Sequence, residues 1–129
     1  MEFTLKTTIR ATCMQIYTTW LNSAGHTEMT GGLAKITDKI GGKFTAWDGY
    51  IEGNNIALEP YGRIFQSWRT TEFDESDEDS LVELLLEEVD DQTELTLIHT
   101  NLPENGEQYI QGWEDYYFTP MNSYFSSIR

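Results

Sequence analysis

Leu95-Thr96-Leu97-Ile98-His99-Thr100-Asn101-Leu102-Pro103 alternates inward and outward side chains and then stops at a proline, the pattern of a half-buried strand. It feeds Gln111-Gly112-Trp113-Glu114-Asp115-Tyr116-Tyr117-Phe118-Thr119-Pro120-Met121, an aromatic stretch with helical spacing. Ile110, Trp113, Tyr117, Met121 and Tyr124 step by three or four residues and form one apolar stripe. The spacing predicts a long helix from near Asn105 to about Phe125. A strand-rich middle followed by one aromatic C-terminal helix implies a curved sheet gripping that helix, with room for a cavity between them.

The chain upstream agrees with this plan. Phe3, Leu5, Thr7 and Ile9 alternate with Glu2, Thr4, Lys6 and Thr8, so the chain opens on a strand. Met14, Ile16, Tyr17, Trp20 and Leu21 then recur at helical spacing behind Thr12, a candidate N-cap. Asn22-Ser23 starts a second short helix through Glu28 and Met29, which Gly31-Gly32 ends. Short strands follow at Leu33 to Thr37, Lys43 to Asp48, Tyr50 to Glu52, Ile56 to Glu59 and Arg63 to Thr70. Gly53-Asn54-Asn55 reads as a hairpin turn, because Gly and Asn tolerate positive φ. Leu81 to Glu88 and Thr93 to Thr100 form another hairpin across Val89-Asp90-Asp91-Gln92. The expected fold class is therefore α+β: one domain over residues 1–129, with about six or seven antiparallel strands around a long C-terminal helix. Two short helices follow the first strand.

Composition narrows the function classes. Twenty-two acidic and eight basic side chains leave a net charge of −14, which repels phosphate backbones and anionic membrane surfaces. Nucleic acid and membrane are thus not expected partners. The single cysteine, Cys13, excludes an internal disulfide and fits a reducing cytoplasm. No apolar run reaches the length of a membrane span. The acidic run Glu72 to Asp79 lacks the turn glycine of a helix–loop–helix calcium site and reads as a solvated loop. No metal or cofactor is expected. Neither a Gly-x-Ser-x-Gly elbow, a His-Glu-x-x-His pair, a phosphate-binding glycine loop nor a Cys-x-x-Cys pair is present.

Candidate functional residues come from the inward faces. On Arg63 to Thr70 the face of Ile64, Gln66, Trp68 and Thr70 is assigned inward, and Leu97 and His99 share the inward face of their strand. Trp47 is placed inward on a glycine-flanked strand, and Trp113 and Tyr117 lie on the helix stripe. Trp47, Ile64, Gln66, Trp68, Leu97, His99, Trp113 and Tyr117 are the candidate cavity lining. Such a mixture suits an amphipathic small ligand; the same side chains packed together would simply fill the interior. His99 is a cavity-lining polar group, a proton donor or a hydrogen-bonded structural histidine, whereas His26, in a polar helix, is expected at the surface. Gly112 is expected to let the helix approach the sheet closely, and Pro120 to kink it.

Four motifs in this order carry a family resemblance: Gly41-Gly42-Lys43-Phe44, Arg63-Ile64-Phe65-Gln66-Ser67-Trp68-Arg69, Glu94-Leu95-Thr96-Leu97-Ile98-His99 and Gln111-Gly112-Trp113-Glu114-Asp115-Tyr116-Tyr117-Phe118. With them the chain resembles single-domain homologues of the activator of the heat-shock protein 90 ATPase, in the START-like (SRPBCC) helix-grip superfamily. The resemblance implies a sheet wrapped around the C-terminal helix, and relatives that bind lipids, sterols, hormones or polyketides. Three functions are carried forward. The first is a non-enzymatic protein that binds a small hydrophobic or amphipathic ligand between sheet and helix. The second is a co-chaperone-like, stress-related module contacting a heat-shock protein 90-type chaperone. The third is a cyclase- or hydrolase-like enzyme using His99. Monomer and homodimer are both open.

Overall fold

The computed structural model describes residues 1–128. The chain runs β1 (Phe3–Ile9), α1 (Cys13–Trp20), α2 (Ser23–Thr30), β2 (Lys43–Ala46), β3 (Ile51–Glu59), β4 (Arg63–Thr70), β5 (Ser80–Val89) and β6 (Gln92–Thr100). The C-terminal helix follows in three continuous segments: α3 (Gln108–Trp113), a π-helical turn (Glu114–Phe118) and α4 (Thr119–Ser127). The strands form one six-stranded sheet in the order β1-β6-β5-β4-β3-β2, with every neighbour antiparallel. This is the expected α+β helix-grip architecture.

Local chemistry explains the elements. Thr12 caps α1 through a full capping box: its hydroxyl accepts from Gln15 N–H, and the Gln15 side chain accepts from Thr12 N–H. Asn22 caps α2 by accepting from Gly25 N–H, and Gly31 ends it in the left-handed region at φ 88°. Asp90 and Asp91, both at positive φ, form the tight turn that closes β5 onto β6. Burial alternates along β5 and β6, so Val82, Leu84, Leu86, Leu95, Leu97 and His99 all face the helices.

The sequence-based expectation fails at several points. Gly53-Asn54-Asn55 is not a turn; β3 runs straight through it, with a bulge between Asn55 and Ala57. A Cβ on Gly53 would sit 1.9 Å from the Ser67 carbonyl oxygen, so the glycine serves close strand approach. Asn55 is a buried anchor, donating to Thr37 O (2.6 Å) and Lys39 O (3.1 Å) and accepting from the Gln66 amide (2.9 Å). The strand expected at Leu33 to Thr37 reduces to one bridge, Lys35 to Thr45. Trp47 lies not on a strand but in the turn after β2, where Trp47, Asp48 and Gly49 all have positive φ.

The helix begins at Gln108, three residues after the expected start, and ends at Ser127. Its buried stripe is Tyr109, Trp113, Tyr117, Phe118, Met121 and Phe125; Ile110 and Tyr124 flank it. A four-residue repeat drifts by roughly 40° per step around an α-helix of 3.6 residues per turn. The wider π-turn takes up part of that drift and keeps the stripe on the sheet. The turn ends at Phe118, two residues before Pro120, and Thr119 N–H bonds back to Glu114 O. Pro120 has no N–H to donate and its ring crowds the carbonyl four residues back. The helix answers with a widened turn rather than a break.

Candidate functional site

A cleft of about 480 Å³ opens between the C-terminal helix and the β3–β4 side of the sheet. Its floor is aromatic and buried: Trp68 from β4 faces Tyr109 and Trp113 from α3 and Tyr117 from the π-turn. The mouth is formed by Trp47 and Tyr50 of the β2–β3 turn opposite Gln108, Gly112 and Tyr116. Trp47 and Tyr116 meet edge to face, with ring centroids 5.3 Å apart, and so link the turn to the helix. Trp47 itself packs over Gly32, where any Cβ would strike its ring at 2.4 Å. Among the described residues, Trp47 Nε1 is the buried side-chain polar atom left without a hydrogen-bond partner.

Gly112 is a cleft residue rather than a packing residue. A Cβ built there meets nothing within 4 Å, which corrects the expectation that it lets helix and sheet approach closely. The missing side chain leaves open space at the mouth.

Of the eight candidate residues, Trp47, Trp68, Trp113 and Tyr117 border the cleft. Ile64, Gln66, Leu97 and His99 are fully buried beneath it and do not line it. Gln66 is occupied by Asn55. His99 sits in a closed relay. Trp113 Nε1–H donates to His99 Nδ1 (3.0 Å), so the neutral ring carries its proton on Nε2. Nε2–H points at Ser80 Oγ (2.8 Å), and the Ser80 hydroxyl donates to Trp68 O (2.7 Å). Burial pushes the His99 pKa down to about 3. A second proton on Nδ1 would face the indole N–H, donor against donor.

His26 is not at the surface, as its polar helix implied; it is 2% exposed. Its Nδ1–H donates to Trp20 O (2.9 Å), and Nε2 accepts from the Tyr117 hydroxyl (2.9 Å), 91 residues away in sequence. Burial holds its pKa at about 4 and raises that of Tyr117. α2 turns His26 toward the C-terminal helix because that helix supplies a buried hydroxyl donor. No periodicity within residues 23–30 could reveal this.

Tyr50, Ile51, Gln108, Tyr109 and Tyr116 border the cleft without having been singled out. Tyr109 was within reach: it lies four residues before Trp113, on the same helix face. Its hydroxyl shares a hydrogen bond with Thr70 (2.6 Å). The Tyr50 hydroxyl donates to the Glu72 carboxylate. Among the described residues no three His, Cys, Asp or Glu side chains converge as a metal site. Among the described residues no helix is long and apolar enough to cross a membrane.

The chain is similar to known proteins in family and fold. The model of the family described as Activator of Hsp90 ATPase homolog 1-like protein matches residues 10–126. An HSP90 activator from Plasmodium falciparum has a similar structure, with a TM-score of 0.89 at 22% identity over 98% of this chain and 96% of that one. The Aha1 dimer from Colwellia psychrerythraea gives 0.81 at 15% identity, covering 97% and 96%. CalU16 from Micromonospora echinospora gives 0.74 at 24% identity, covering 98% and 80%. At these identities the structures share a fold. No curated protein matches the chain in sequence.

Proposed function

Because this chain belongs to the Activator of Hsp90 ATPase homolog 1-like family, we propose that it is a non-enzymatic binding protein that holds a small hydrophobic or amphipathic molecule between sheet and C-terminal helix. The observation that carries this reading is the aromatic cleft of about 480 Å³ with open space at Gly112. That volume lies in the usual range of roughly 300–1,000 Å³ for small-molecule sites. Burial of apolar ligand surface at about 25 cal/mol per Å² supplies the driving force, less the ordering costs of association.

The acid–base reading has less support. General acid–base work needs a group whose pKa lies near the working pH and which reaches the substrate. His99 is held neutral, and both its nitrogens are engaged.

Gly112→Leu tests the binding reading. Leucine fills the mouth, and it favours helix by somewhat under about 1 kcal/mol relative to glycine. With neutral phenylnaphthylamine as fluorescent probe, we expect at least about a tenfold loss of affinity and no loss of thermal stability. Probe affinity unchanged in that variant, or no binding to the unaltered protein, removes the reading.

A second reading rests on the −14 net charge and on the likeness to a protein described as an HSP90 activator. In it the acidic surface of this chain meets a basic patch on a heat-shock protein 90-type chaperone in the cytoplasm.

A further inference from the structure

Resting on the cleft reading above, we infer that the cleft selects planar organic cations over neutral and anionic molecules of the same shape. Three observations converge on this charge preference.

The first is the lining. Three tryptophans and four tyrosines border the cleft, together with Ile51, Gln108 and Gly112. Aromatic faces carry the negative lobe of the ring quadrupole, so a cation held against them is attracted and an anion is repelled. The lining rings are tilted or edge to face, Trp68 on Trp113 at 33° and Trp47 on Tyr116 at 72°, and a flat ligand stacks on the faces they leave open.

The second is the absence of a counter-charge for an anion. Among the described residues no lysine, arginine or histidine borders the cleft. Arg69 touches the wider aromatic network: it lies over Phe73, 5.4 Å from the ring centroid. Its guanidinium is already taken by the Asp79 carboxylate (2.8 Å) and by the carbonyls of Asp77 (3.1 Å) and Asp74 (3.0 Å). A fatty-acid carboxylate entering the cleft would therefore have no cationic partner.

The third is negative charge at the mouth. The Tyr50 hydroxyl, on the cleft wall, holds the Glu72 carboxylate beside it. Asp48, Glu107, Glu114 and Asp115 adjoin lining positions in sequence, and the whole chain carries −14. An approaching cation is drawn to this mouth, and the aromatic floor then holds it after it sheds water.

The test uses one tricyclic shape in three charge states: aminoacridinium, anthracene and anthracene sulfonate. Binding is followed by tryptophan quenching at about 0.15 M salt, where the Debye length is about 8 Å and distant surface charge is largely screened. The expected order is cation above neutral above anion, with about tenfold between cation and neutral. Glu72→Gln, at an exposed position, should weaken the cation several-fold and leave anthracene unchanged. Gly112→Leu should weaken both. Equal affinity for all three, or preference for the sulfonate, overturns the charge preference while the cleft itself still binds. Cation binding that survives Gly112→Leu is adsorption to the acidic surface and also overturns it. Failure of all three probes to bind removes the cleft reading itself, which makes the two failures distinguishable.

Discussion

His26 and His99 are neutral at ordinary pH because each ring is buried and each nitrogen already has a complementary partner. The folded pKa values of about 4 and about 3 lie below the ordinary imidazole value of 6.5. Between about pH 6.5 and those folded values the unfolded chain binds protons that the folded chain does not, so stability falls as pH drops. A single such group contributes a loss of about 2 kcal/mol between about pH 7 and about pH 5. His99→Gln keeps an amide oxygen for the Trp113 N–H and an amide N–H for Ser80, but cannot titrate. The unfolding free energy of the unaltered protein should therefore fall more than that of the variant over this interval, by about 2 kcal/mol. Urea unfolding at both pH values checks this. Equal falls would mean that His99 is not buried and neutral.

Two glycines with the same chemistry should behave oppositely, because the elements around them differ. Gly53 sits where β3 lies close against its antiparallel neighbour β4, and its Cβ would overlap the Ser67 carbonyl at 1.9 Å. Gly53→Ala forces the strands apart and should cost about 1–3 kcal/mol. Gly112 lies in a helix with nothing within 4 Å of its Cβ position. Gly112→Ala should raise stability by about 1 kcal/mol. Thermal unfolding of the two variants reads both signs, and a stabilising Gly53→Ala would contradict the register of β3 on β4. The π-turn is also an effect of context. Pro120 and the four-residue stripe are both legible in sequence, but they predict a kink and a drifting face. Packing on the sheet turns them into one wide turn that buries Tyr117 and Phe118 together.

At the scale of the molecule, the −14 charge governs long-range association. If the chain meets a chaperone through its acidic surface, affinity for a heat-shock protein 90-type chaperone should fall steeply as salt rises from about 0.05 to about 0.3 M. Calorimetric titration at several salt concentrations measures this. Salt-independent binding, or none at low salt, would remove that reading. Local patterns alone determined β1, the two short helices, the C-terminal helix, the inward faces of β4, β5 and β6 and the caps of α1 and α2. Periodicity and capping act over a few residues, and their signal survives without any tertiary partner. Trp68, Trp113 and Tyr117 were legible for the same reason. Tertiary structure decided the rest. It buried His26 against a hydroxyl 91 residues away, drew His99 beneath the cleft and made Gly53 a point of close strand approach. It also left open space at Gly112. Each of these depends on which distant atom lies next to a residue, and only the closed sheet and its helix bring those atoms together.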